Sequence, residues 1–136
     1  VAMAVAYCRL LIRLEAALNL VLFGPLLIVA PQVALQGMVP PGVLISDLAA
    51  EQTRGFGCLI ASFGGLLLWR ALDMQGEAEH LVLSTFLICD FLYVGTVIQW
   101  VLRTGYWLPG NVFNIVFGVI LTVARIAMLS SKKRED

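Results

Sequence analysis

Leu81 to Arg103 reads LVLSTFLICDFLYVGTVIQWVLR, a run long enough to cross a bilayer, with one acid, Asp90, near its middle. About 20 apolar residues rising ~1.5 Å each cover the ~30 Å hydrocarbon core of a membrane. Counting from Leu81 puts Asp90 roughly 13 Å in from one surface. A carboxylate alone at that depth costs several kcal/mol, so Asp90 must be protonated, face water or bond to a neighbouring helix. A bonding partner for it has to come from another segment.

Composition sets the frame. Of 136 residues, 60% are hydrophobic and 13% charged, with a mean hydropathy of +0.92. Soluble domains lie nearer one half and one quarter. The expectation is an all-α integral membrane protein: a single domain over 1–136, folded as an antiparallel bundle of four transmembrane helices with both termini on the same side. The spans fall at about 9–30, 51–72, 81–103 and 111–129, with an interfacial loop at 31–50 and a charged tail at 130–136. Nine basic residues balance nine acidic ones, which argues against a nucleic acid partner. Cys8, Cys58 and Cys89 are far apart in or beside apolar spans and read as packing residues, with no metal-ligand spacing. Phosphate loops, nucleophile elbows and HExxH motifs are absent. The chain opens on Val1 rather than Met, which is compatible with a processed product, with an incompletely represented one, and with a missing N-terminal targeting segment.

In the first span, Pro25 of the Gly24-Pro25 pair removes an amide and frees the carbonyl of Val21, which predicts a kink. Glu15 and Asn19, four apart, share one face. Pro40-Pro41-Gly42 marks a turn in the apolar connection, and Asp47 and Glu51 suit the start of the second helix. There Gly57, Ala61 and Gly65 recur every four residues, a spacing that lets another helix approach closely. Trp69, Tyr106 and Trp107 read as interfacial anchors. Seven basic residues (Arg9, Arg13, Arg70, Arg125, Lys132, Lys133, Arg134) gather on the terminal side against two, Arg54 and Arg103, on the other. That asymmetry directs both termini to the cytoplasm, matrix or stroma, with an organellar inner membrane or thylakoid as a candidate setting.

Polar residues form two helical stripes. On the fourth helix Asn111, Asn114, Gly118, Thr122 and Arg125 recur at three- and four-residue steps and are expected to face inward. On the third helix Thr85, Cys89, Thr96, Gln99 and Arg103 make a similar stripe, with Asp90 at its edge. Antiparallel depth matching brings Arg125 towards Asp90, with Glu15 as a competing or third partner. At the opposite surface Glu51, Arg54, Gln99, Arg103, Asn111 and Asn114 fall at similar depth and predict a second network. Such pairs act as glue between helices; alternatively, Asp90 or Glu15 serves as an acid or base towards a lipophile.

Arg9-Leu-Leu-Ile-Arg-Leu, Gly24-Pro25, Arg54-Gly55-Phe56-Gly57 and the short final loop give a layout that resembles small DoxX-like four-helix membrane proteins. The resemblance implies the four-helix architecture and an association with quinone-linked membrane functions, and it transfers no catalytic residue. The leading functional expectation is a non-catalytic small subunit of a larger membrane complex, respiratory or photosynthetic, in contact with membrane lipids and other integral-membrane subunits. The alternative is an enzyme or binding protein for a sterol, terpenoid or quinone, using Asp90 and Glu15 as acid and base, with Phe86, Tyr93 and Trp100 on one helical face. A proton or small-solute carrier ranks third, for want of an inverted repeat. No cofactor is predicted, although a bound lipid, quinone or pigment is compatible with the bundle.

Overall fold

The computed structural model describes residues 2–74 and 76–132. Four of its helices are long and apolar enough to cross a membrane: α1 (Met3–Val29), α3 (Asp47–Asp73), α4 (Glu77–Thr104) and α5 (Pro109–Lys132). A short helix, α2 (Pro31–Gln36), lies in the connection between the first two. Each crossing runs a few residues beyond the apolar stretch visible in the sequence. In α1 the extra turns are the apolar residues 3–8, whereas α3 gains polar residues that favour a helix start: the Ser46 hydroxyl accepts the Ala49 amide at 3.1 Å and caps α3. At the other end of the third crossing, the Gly105 amide donates to the Val101 carbonyl at 2.8 Å. Its φ of 74° is the left-handed conformation that glycine adopts freely, and it ends α4. The connection expected as a loop over 31–50 thus holds one helix and the Pro40-Pro41-Gly42 turn, closed by a 3.2 Å bond from the Val43 amide to the Pro40 carbonyl. Lys133 and Arg134 of the charged tail lie outside the described residues.

The break expected at Pro25 takes the form of a widened turn. Residues Asn19–Phe23 are π-helical, and the Gly24 amide reaches back five residues to the Asn19 carbonyl. Proline cannot supply the usual donor, and widening the preceding turn relieves the clash between its ring and the carbonyl four residues back. A second π-helical segment, Ile60–Leu67, lies opposite in α3. The two wide segments meet through the buried Asn19 side chain, whose amide donates to the Gly64 carbonyl at 3.1 Å.

Close packing between α1 and α3 follows the small residues. A methyl group added at Gly57 would come within 2.8 Å of Leu27 Cβ, one at Gly65 within 2.9 Å of Leu20 Cβ, and one at Gly24 within 2.7 Å of Ala61 Cβ. No Cβ fits at those separations, so backbones here lie as near as two helices can come.

At the terminal end Ile12, Ala16, Leu68, Leu72, Leu83, Ala124 and Met128 make one buried cluster drawn from all four crossings. The start of α1, the end of α3, the start of α4 and the end of α5 therefore share one surface, as antiparallel crossings require. Away from that end α4 departs from α3 and packs chiefly along α5. Its exposure follows: 11% of its most apolar stretch is buried against the chain, compared with 28 to 33% for the other three crossings.

Candidate functional site

Arg125 is fully buried among three helices. On α5 it follows Gly118 and Thr122 along the inward face, and the Thr122 hydroxyl donates back to the Gly118 carbonyl at 2.8 Å, so that polar group is satisfied locally. From this position one guanidinium nitrogen donates to Asp90 Oδ2 on α4, and the other donates to Glu15 Oε2 on α1 at 2.5 Å. The planar fork suits two carboxylates approaching from different directions. Phe86, one turn before Asp90, covers the guanidinium face with its ring centroid 5.5 Å from Cζ. The Nε hydrogen has no partner among the described residues. The three side chains differ in access: Arg125 is 0% exposed, Glu15 8% and Asp90 15%.

The terminal surface carries two further ion pairs. Arg9 donates to Glu79 Oε1 at 2.7 Å and to the Leu72 carbonyl at 2.8 Å, and Arg13 donates to Asp73 Oδ1 at 2.7 Å. Both clamp α1 onto the turn between α3 and α4. Glu79 is fully buried and was not among the interior residues expected from the sequence. Its sequence signal was faint: an acid two residues ahead of the apolar run, opposite the Arg9 and Arg13 face. His80, beside it, is exposed.

The second network expected at the far surface does not form as one. Glu51 pairs with Arg54 on the same helix, and both side chains are well exposed, so this pair ties no helices together. Gln99 and Arg103 are exposed and Asn114 is half-buried, and none makes a hydrogen bond or ion pair among the described residues. The far half of α4 diverges from α3, which leaves Thr96, Gln99 and Arg103 facing outward; Thr85 and Cys89, nearer the terminal end, are exposed as well. Asn111 is buried, but its amide pins loops, donating to the Met38 carbonyl at 3.0 Å and the Tyr106 carbonyl at 2.9 Å.

The aromatic face proposed for a lipophile is divided. Phe86 lies over Arg125, Trp100 packs edge-on against Tyr106 at 5.7 Å, and Tyr93 is exposed. An open apolar cavity of about 550 Å³ lies instead at the far surface, between the Gln36–Val43 connection and Leu108, Pro109 and Gly110, and no ionisable side chain lines it. No group of three or more His, Cys, Asp and Glu side chains suited to a metal occurs among the described residues.

Chemically, the central cluster can hold three helices in register. No family model matches the chain, and no similar curated protein or solved structure is found. Four long apolar helices packed as a bundle fit a small four-helix membrane protein, and no family match identifies the chain as DoxX-like.

Proposed function

We propose that the chain is a non-catalytic small integral-membrane subunit of a larger membrane assembly, respiratory or photosynthetic in class, and that it contributes helix packing there. The observation that supports this is the outward face of α4. Gln99 carries an amide, and Arg103 a guanidinium one turn on, with no partner among the described residues, and the helix that bears them is the least covered of the four crossings. An unsatisfied amide facing hydrocarbon is costly, and a neighbouring subunit's helix offering hydrogen-bonding groups at that depth relieves it. Seven basic residues against two favour a terminal side in the cytoplasm, matrix or stroma.

The test is extraction in mild detergent followed by native electrophoresis, with a lipid-soluble thiol crosslinker directed at Cys89 on the same face. Co-migration with other membrane subunits, lost on Gln99→Leu, is the expected result. A chain that always runs alone and crosslinks to nothing through Cys89 counts against it.

A second reading, a binding protein or enzyme for a lipophile, draws on one observation: Asp90 and Glu15 are carboxyls held within the bundle against one arginine. It expects Asp90→Asn to abolish turnover of a sterol, terpenoid or quinone while leaving the fold intact.

A further inference from the structure

Glu15, Asp90 and Arg125 form a closed electrostatic unit whose formal charges do not cancel. Arginine stays protonated in proteins, so the cluster contributes one positive charge and two carboxyl groups. Among the described residues no second cation pairs with Glu15 or Asp90. Arg9 and Arg13, on the same helix as Glu15, are engaged by Glu79 and Asp73, and α3 has no charged residue between Arg54 and Arg70. With both carboxyls ionised the unit is −1, and with one proton bound it is neutral. A lone charge kept in hydrocarbon costs several kcal/mol or more, and one proton removes that cost.

We propose that this cluster is a one-proton binding site, shared by Glu15 and Asp90, which exchanges its proton through Asp90 with lipid-soluble molecules in the membrane. Access points to Asp90. Its side chain is the most exposed of the three, and it sits on α4 between Ile88 and Phe91, both open to the surroundings. On exchange, the Asp90 O–H bond breaks, its electron pair stays on oxygen, and the proton passes to a lone pair of the acceptor. Arg125 remains hydrogen-bonded to the carboxylate left behind until the next donor returns a proton. The inference holds whether the chain works alone or in an assembly.

Dicyclohexylcarbodiimide tests it, because this apolar reagent consumes a protonated carboxyl. The acid proton moves to a carbodiimide nitrogen, the carboxyl oxygen bonds to the central carbon, and the adduct rearranges to a stable acylurea without losing an atom. The purified full chain in detergent should gain one adduct, mapped to Asp90, and a charged, water-soluble carbodiimide should not label that residue.

The decisive variant is Glu15→Gln. It leaves Asp90 in place but makes the cluster one-to-one and neutral without a proton, so labelling of Asp90 should fall roughly tenfold or more. Labelling of Asp90 in Glu15→Gln at the wild-type rate overturns the proposal, since accessibility alone would then explain the reaction, as does the absence of any Asp90 adduct in the wild type. Infrared spectroscopy supplies the second readout. The wild type should show a carboxylic-acid C=O band that shifts in D2O and is missing from Asp90→Asn, where Glu15 alone faces Arg125. If that band is absent from the wild type or persists in Asp90→Asn, the site holds no shared proton. This second variant decides the matter should Glu15→Gln fail to fold by circular dichroism.

Discussion

Arg125 is held by carboxylates from two other helices, so removing its charge strands two acids at once. Arg125→Gln should lower the unfolding free energy by about 3–5 kcal/mol, the range for breaking a buried pair from one side. Arg125→Lys keeps the charge but replaces a planar fork with a compact ammonium, and its loss should fall between wild type and Arg125→Gln. Denaturant titration in detergent micelles, followed by circular dichroism, orders the three. The pairing could be read from the sequence because helical rise converts residue number into depth, which puts Asp90, Arg125 and Glu15 within reach of one another. Glu79 could not be read in that way. Arg9 reaches it from α1 across the helix end, and such a contact leaves no periodicity.

Elements obey packing limits that single glycines expose. Gly57→Leu puts a large side chain where even a Cβ would lie 2.8 Å from Leu27 Cβ, and overpacking of this kind costs typically 1–3 kcal/mol. Gly55, two residues away, has open space at its Cβ position, and Gly55→Ala should be neutral or stabilise by up to about 1 kcal/mol through helix propensity. Thermal unfolding of the two variants side by side separates close approach from a general effect of glycine. The outward turn of α4 was not legible, because a helical stripe says which residues share a face and not which way the face looks. In lipid the ambiguity is sharper than in water, since apolar residues suit both the interior and the exterior. The distance between α3 and the far half of α4 decides it, and no local pattern records that distance.

At the scale of the whole molecule, the bundle is fastened at one end. The apolar cluster and the Arg9–Glu79 and Arg13–Asp73 pairs close the terminal surface, the Arg125 hub sits deeper, and beyond it α4 packs chiefly along α5. Glu79→Ala removes the acceptor of an Arg9 hydrogen bond from a fully buried position, and a loss of about 1–3 kcal/mol is expected. Hydrogen exchange should then quicken first at the turn between α3 and α4. Number and order of the crossings were visible in composition and in the apolar runs, since a bilayer admits few alternatives, whereas the helices extend past those runs. Acids placed in oil are answered here by a cation on a companion helix. The stability of Arg125→Gln, set beside that of the triple variant Glu15→Gln, Asp90→Asn, Arg125→Gln, measures that dependence. Neutralising all three groups should recover most of what Arg125→Gln alone loses; a triple variant as unstable as the sum of its separate substitutions would mean that the charges do not answer one another.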